Sequence, residues 1–140
     1  MNPVREKSNR PRRWLLWAPA LVYMAAIFVA SSLSRVPAPP AGLSDKQVHA
    51  VVYAGLAAMI LRALAQGSWR GVTLGTALGA VLMAAAYGAS DEVHQWFVPG
   101  RTFEILDMVA DAIGAVLASG MLRAWGIIRS RNPSGTLYVL

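Results

Sequence analysis

The feature that most constrains this chain is a pair of long stretches without a charged residue. Residues 14–33 and residues 71–90 each run for twenty positions without Asp, Glu, Lys or Arg. An α-helix rises ~1.5 Å per residue, so each stretch is about long enough to cross a hydrocarbon core of ~30 Å. Because 56% of the 140 residues are hydrophobic and only 14% are charged, we interpret the chain as one small integral membrane unit.

Four helices are predicted, at residues 14–33, 45–64, 71–95 and 102–123. The first is longer than the apolar core of about 7 to 15 residues in a signal peptide, which favours a retained helix. Pro19 falls in its first turns, where a kink is tolerated. Ser44 is a suitable N-cap for the second helix, with Asp45 in its first turn. The predicted fold class is all-α, an integral membrane four-helix bundle over residues 14–125, with a basic tail at 1–13 and a second tail at 126–140.

The distribution of Lys and Arg predicts the orientation of this bundle. The N-terminal tail, the loop after the second helix and the C-terminal end hold ten of these residues, whereas the other two loops hold three. Basic residues are retained on the cytoplasmic side, so both termini of a multi-pass cell membrane protein are predicted to be cytoplasmic. The same distribution explains the net charge of +6 without a nucleic-acid partner. The chain has no cysteine, which excludes a disulfide, a thiolate metal site and a cysteine nucleophile.

Most of the acidic residues lie together after the second apolar stretch. Five of the seven are Asp91, Glu92, Glu104, Asp107 and Asp111. A carboxylate at mid-bilayer costs about 2.5 to 3.5 kcal/mol on insertion scales, so we expect these side chains to face the bundle interior. On the outer side, six acids stand against three bases, one of which is the distant Arg35. Raised carboxyl pKa values, a cation or a cationic ligand group would each supply the missing positive charge.

Helical periodicity groups the polar residues on one face of each of three helices. These faces carry Asp45, His49 and Tyr53 on the second helix, Tyr87, Asp91 and Gln95 on the third, and Glu104, Asp107, Asp111 and Gly114 on the fourth. The segment Val98-Pro99-Gly100-Arg101 is predicted to be the turn that reverses the chain. We therefore expect three helix ends to bring these polar faces together.

The same residues form motifs that resemble the VanZ-like family of small membrane proteins. The motifs are Ser44-Asp45-Lys46-x-x-His49-x-x-x-Tyr53, then Ser90-Asp91-Glu92-x-His94-Gln95-x-Phe97-Val98-Pro99-Gly100-Arg101, and downstream Asp107, Asp111 and Gly114. The family takes its name from a protein linked to resistance to the glycopeptide teicoplanin. The resemblance implies an envelope-associated role and does not imply a particular reaction.

Three hypotheses remain open for the polar residues. In the first, a structural ion-pair network fixes how the helices pack, and Lys46 and Arg101 neutralise Asp45, Asp91 and Asp107. In the second, His49 or Glu92 is a general acid or base acting on a lipid or cell-wall precursor at the outer leaflet, with Arg101 and Lys46 binding a phosphate. In the third, the pocket binds a head group, peptide or drug without chemistry.

The candidate site residues follow from these hypotheses. The catalytic candidates are His49, Asp91, Glu92 and Asp107, and the substrate-binding candidates are Lys46, Tyr53, Gln95, Arg101 and Asp111. A divalent ion held by His49, Asp91, Asp107 and Asp111 is a variant of the enzyme hypothesis, in which oxygen ligands would favour magnesium, calcium or manganese over zinc. Because no compact metal-binding spacing occurs, we assign no metal ligand, and the cofactor is unknown.

The predicted partner is a membrane lipid or cell-wall precursor. Gly75 and Gly79 form a GxxxG pair, which predicts close packing against a neighbouring helix, either within the chain or in a homo-oligomer.

Overall fold

The computed structural model describes residues 13–34 and 42–131. Within these ranges the protein is all-helical and has no strand. A short 3₁₀ helix, Arg13–Leu16, precedes four α-helices: α1 (Ala18–Ser31), α2 (Asp45–Leu64), α3 (Leu74–Trp96) and α4 (Ile105–Arg131). Residues 1–12 of the predicted N-terminal tail, residues 132–140 of the predicted C-terminal tail and the loop residues 35–41, with Arg35, lie outside the described residues.

The first helix is shorter than predicted. A single helix over residues 14–33 is replaced by the 3₁₀ turn and the fourteen residues of α1. Pro19 lies at the start of α1, where its missing N–H costs no helical hydrogen bond. The α-helix therefore begins at Ala18, so that Pro19 lies in its first turn and not in its interior. Its length of ~21 Å is less than a straight span of the hydrocarbon core requires.

The second and third helices begin at polar caps that the local sequence specifies. Ser44 accepts a hydrogen bond from the N–H of Gln47, whose side chain accepts the N–H of Ser44 at 2.8 Å. This capping box confirms the N-cap predicted at Ser44. Thr73 and Thr76 form the same arrangement at α3, which begins three residues later than predicted because Thr73 and not Gly71 caps it.

The fourth helix extends beyond its predicted end. The sequence predicts a tail over residues 126–140, but α4 continues to Arg131. Gly126 packs against the connection between α2 and α3, where an added Cβ would lie 3.2 Å from Val72 Cβ and 3.4 Å from the Trp69 carbonyl oxygen. This docking and the absence of a proline before Pro133 allow the helix to continue.

Contacts at the two ends show that successive helices alternate in direction. At one end, Gly67 in the connection after α2 lies beside Leu16, and Gly126 lies beside Val72. At the other end, Ser31 of α1 contacts Asp91 of α3, and Lys46 of α2 contacts Asp107 of α4. We call this second end the polar end, because it holds the acidic motifs.

Close helix contacts depend on glycines in α3 and α4. A Cβ added at Gly114 would lie 1.9 Å from the Ala50 carbonyl oxygen of α2, and one at Gly88 would lie 2.5 Å from Oδ2 of Asp111. Gly79 faces Leu64, whereas Gly75 meets only Thr73 of its own helix turn. The close packing expected of Gly75 and Gly79 is therefore concentrated at Gly88 and Gly114, and association through Gly75 and Gly79 stays a prediction.

Two of the described helices are long and apolar enough to cross a membrane, namely α2 and α4. The apolar α1 is too short to meet the same criterion. Helix α3 is long enough, but ten of its sixteen residues before Ser90 are glycine, alanine or threonine. Its buried face is correspondingly built from Ala77, Ala80 and Ala84.

Candidate functional site

A cavity of about 290 Å³ lies among α1, α2 and α3 and reaches residues of the polar end. Its apolar wall comes from α1 and α2 and includes Ala26, Ile27, Val48 and Val52. Its polar lining consists of Tyr23, Ser31, Asp45, His49, Tyr53, Asp91, Gln95 and Arg101. Three helices and the turn before α4 therefore contribute to one amphipathic cavity.

Asp91 is held in this cavity by side chains from two helices. Its Oδ1 accepts a hydrogen bond from Ser31 Oγ of α1 at 2.6 Å, and its Oδ2 accepts one from Gln95 Nε2 at 2.9 Å. The residue is 5% exposed. Among the described residues, no nitrogen of Lys, Arg or His lies within 4.0 Å of its carboxylate. Asp91 is thus a buried carboxylate whose known partners are neutral.

Arg101 reaches the cavity because the chain reverses just before it. The Arg101 N–H donates to the Val98 carbonyl oxygen at 3.1 Å, and Gly100 adopts a φ of 83° as the third residue of that turn. This confirms the turn predicted from Val98-Pro99-Gly100-Arg101. The guanidinium then donates from Nε to Gln95 Oε1 at 2.9 Å, and Nη2 contacts the same oxygen. The turn therefore directs a cation back over the end of α3.

His49 is oriented by a buried carboxylate of α4. Its Nδ1 lies 3.0 Å from Oδ1 of Asp111, which is 1% exposed. An ionised Asp111 carboxylate would accept this hydrogen bond from Nδ1, because an ionised carboxylate has no proton to donate. The other nitrogen, Nε2, lies 3.7 Å from Asp107 Oδ2, and the ring stacks on Tyr53 with centroids 6.4 Å apart. The imidazole is therefore fixed in orientation at the cavity wall.

Lys46 joins α2 to the start of α4 in an ion-pair network. Its Nζ lies 2.8 Å from Asp107 Oδ1 and also contacts Glu104. The hydrogen bond from Lys46 lowers the pKa of the Glu104 carboxyl below its ordinary value, which keeps this loop residue ionised at neutral pH. None of these three residues lines the cavity. The ion-pair hypothesis therefore describes this group, but not Asp91 or Arg101.

Glu92 supports the backbone where α4 begins. Its Oε2 accepts the Glu104 N–H at 3.0 Å, and its Oε1 lies 3.5 Å from Gln95 Nε2. A carboxylate at this position satisfies a free N–H and complements the helix dipole. Glu92 is 1% exposed and does not line the cavity, so its contacts are those of a capping residue and not of a general acid or base.

The cavity contains about half of the predicted site residues. His49, Tyr53, Asp91, Gln95 and Arg101 line it, and Asp45 joins them. The remaining candidates do not line it: Lys46, Glu92, Asp107 and Asp111. The Tyr53 hydroxyl is buried and makes no hydrogen bond to the described residues, so the wall contains a donor that these residues do not use.

The residues proposed for a metal ion are not brought together as a set. Asp91 is engaged with Ser31 and Gln95, and Asp111 bonds to His49 Nδ1. A different group, Asp45, His49 and Asp107, has ligand atoms within 4.8 Å of one another. Lys46 already contributes a positive charge 2.8 Å from Asp107. We therefore assign no metal site.

Sequence reasoning missed the contribution of α1 to the site. Ser31 bonds to Asp91, and the neighbouring Ser32 Oγ lies 3.0 Å from His94 Nε2. The available signal was the pair of serines that ends an otherwise apolar helix. Alternating helix directions place that end beside the end of α3, so the pairing depends on topology as well as on sequence.

The fold and the site indicate the class of protein to which the chain belongs. The described residues form a small all-helical protein with two helices able to cross a membrane and a cavity with buried polar residues at one end. The VanZ/LLP1 family model matches residues 5–128, and the chain belongs to that family. The resemblance predicted from the motifs is thus confirmed, and the apolar helices and the family together indicate a membrane protein. Comparison with curated proteins and with solved structures gives no match.

Proposed function

We propose that the protein is a multi-pass cell membrane protein, a four-helix bundle with both termini in the cytoplasm and its polar end at the outer leaflet. The ten Lys and Arg assigned to the opposite side support this orientation. Exposed aromatic side chains support an interface at the polar end: the Trp96 ring lies 6.1 Å from that of Phe97 and 6.3 Å from that of Phe103. Exposed Trp14 and Trp125 mark the other end.

We infer that the cavity binds the head and upper chain of a membrane amphiphile, an envelope lipid or a cell-wall precursor. The observation that carries this proposal is the gradient along the cavity. Ser31 and Asp45 lie at the polar end of α1 and α2, whereas Tyr23 and Tyr53 lie eight residues deeper, or ~12 Å along each helix. Apolar side chains such as Ile27 and Val52 line the intervening wall. This arrangement suits a ligand with a polar head and an apolar chain.

A second candidate function is catalysis on the same amphiphile. The observation that favours it is the His49 imidazole, which Asp111 orients and which lines the cavity. A histidine held in this way can accept a proton at Nε2 from a ligand hydroxyl or a water molecule, as a general base does. The alternative to both functions is a structural ion-pair network. The contacts of Lys46 with Glu104 and Asp107 favour such a network for these three residues.

The binding proposal is tested by filling the cavity. We expect Ala26→Trp to reduce the amount of envelope lipid or precursor that remains bound to the purified protein, measured by native mass spectrometry. Val29→Trp is the matched control, because Val29 is 62% exposed on the same helix and does not line the cavity. Equal lipid retention by wild type, Ala26→Trp and Val29→Trp would contradict binding in this cavity.

The same variants test a contribution to teicoplanin resistance. Labelled teicoplanin is bound to cells that express matched levels of wild type, Ala26→Trp or Val29→Trp. Wild type and Val29→Trp should lower glycopeptide binding relative to the empty vector, and Ala26→Trp should not. Equal glycopeptide binding by cells with wild type and cells with the empty vector would contradict a role in resistance. Amphiphile binding would then be decided by native mass spectrometry alone.

A further inference from the structure

Two opposite charges line the cavity without pairing with each other. The Asp91 carboxylate bonds only to Ser31 and Gln95 among the described residues, and the Arg101 guanidinium bonds only to Gln95. No carboxylate oxygen of the described residues lies within 4.0 Å of Arg101 nitrogen atoms. The cavity thus contains a buried anion and a cation that remain separate.

Gln95 keeps these two charges apart. Its amide nitrogen donates to Asp91 Oδ2, and its amide oxygen accepts from Arg101 Nε at 2.9 Å. The side chain is almost fully buried, so both ends of the amide are committed. A neutral amide inserted in this way satisfies one hydrogen-bonding position on each charged group and prevents a direct ion pair.

Each charged group retains hydrogen-bonding capacity for a ligand. A carboxylate has about four lone-pair positions, and Asp91 uses two of them. Arg101 has a second terminal nitrogen, Nη1, with no hydrogen bond to the described residues, and guanidinium groups bind phosphate well. Leaving a buried carboxylate without a cation is costly, so a ligand ammonium would stabilise the site.

A second carboxylate reinforces the preference for an ammonium. Asp45, at the start of α2, lines the same cavity and has no Lys, Arg or His nitrogen within 4.0 Å among the described residues. Lys46, its neighbour in sequence, is engaged with Asp107 and Glu104 instead. Asp45 is exposed, so a ligand group can reach its carboxylate. The cavity lining therefore holds two carboxylates and one guanidinium, and no cation of the described residues lies within 4.0 Å of either carboxylate.

We propose that the cavity selects amphiphiles whose head carries both a primary ammonium and a phosphate, as phosphoethanolamine does. The ammonium contacts Asp91 and Asp45, and the phosphate contacts Arg101, while Gln95 sets the separation between the two subsites. This inference rests on the proposed function, since it specifies the head group of the amphiphile that the cavity binds.

The test compares lipids with identical chains and different heads. Purified wild-type protein is exchanged with phosphoethanolamine, phosphocholine and phosphoglycerol lipids, and retention is measured by native mass spectrometry. Phosphoethanolamine should be retained about tenfold more than phosphoglycerol, which lacks the ammonium. Phosphocholine should also be weaker, because its quaternary nitrogen has no N–H to donate to Asp91. Soluble phosphoethanolamine should not displace the lipid at equal concentration, since it lacks the chain.

Variants assign the two subsites. Asp91→Asn should lower retention of phosphoethanolamine to that of phosphoglycerol, and Arg101→Gln should lower retention of all three lipids. Glu104→Gln is the control, a carboxylate outside the cavity lining. Helix content and elution volume report folding. If Asp91→Asn does not fold, the head-group preference of wild type and its response to Arg101→Gln decide the proposal.

The outcomes separate this inference from the function on which it rests. Equal retention of the three lipids by wild type would overturn the head-group preference and leave amphiphile binding intact. Displacement of the lipid by soluble phosphoethanolamine would contradict the proposal that the bound head group belongs to a lipid. Failure to retain any lipid would overturn both proposals.

Discussion

Asp91 receives its two hydrogen bonds from side chains that lie sixty residues and four residues away in sequence. The near partner, Gln95, follows from helical spacing, because positions i and i+4 share a face. The distant partner, Ser31, is brought in only by the packing of α1 against α3. The two bonds fix both carboxylate oxygens at the cavity wall.

Replacing Ser31 tests the importance of this contact. Ser31→Ala should lower the free energy of unfolding by about 1 to 3 kcal/mol, because it removes a donor to a buried carboxylate. Ser32→Ala is the adjacent control, since Ser32 is exposed. Thermal unfolding in detergent measures both. A loss at Ser32 equal to that at Ser31 would mean that the Asp91 contact adds no stability.

The polar residues differ in how far their environments were predictable. His49 and Asp111 were predicted to lie on facing helices, and the structure joins them at 3.0 Å. In the ion-pair hypothesis Arg101 neutralises carboxylates, yet it bonds to the amide of Gln95. Sequence spacing identifies the helix face on which a residue lies. Several hydrogen-bond acceptors lie on these faces, at similar distances from each donor along the helices. The choice among them depends on side-chain geometry in three dimensions.

At the scale of elements, α2 and α4 pack closely against each other at Gly114. Gly114 faces the Ala50 backbone so closely that a methyl group has no room. The contact holds His49 beside Asp111 and Lys46 beside Asp107, since both pairs cross between the same helices. Glycine at this position therefore determines the geometry of the polar end.

The substitution Gly114→Ala should disrupt this packing. Overpacking a tight contact costs about 1 to 3 kcal/mol, and the neighbour here is backbone, which yields less readily than a side chain. Gly120→Ala in the same helix is the matched control, since nothing lies within 4 Å of the added Cβ. It should stabilise α4 slightly through helix propensity. Equal unfolding temperatures for the two variants in detergent would contradict the close approach.

Helix boundaries were predictable where a cap or a proline defines them. Ser44 begins α2 as predicted, because the capping box is local chemistry. The end of α4 was not predictable, because the contact of Gly126 with Val72, beyond which the helix continues, involves another part of the chain.

At the scale of the whole molecule, the alternating helices place the cavity and the acidic motifs at one end. The proposed orientation puts that end outside the cell. Because the chain has no cysteine, single cysteines report each side without interference. A membrane-impermeant maleimide applied to intact cells should label Thr102→Cys, in the connection before α4, and should not label Ser68→Cys until the membrane is permeabilised. Labelling of Ser68→Cys alone in intact cells would invert the orientation.

The sequence by itself determined the class of protein, the number of helices and most of the residues at the polar end. These depend on the length of the apolar stretches, on helix capping and on helical periodicity. Each of these features involves residues that are close in sequence, so it can be identified from the sequence alone. Only the tertiary structure decided that Ser31 binds Asp91, that Gln95 separates Asp91 from Arg101, and that Glu92 caps α4. Those contacts follow from how closely the helices approach, and that distance depends on glycine and alanine faces packing across the whole fold.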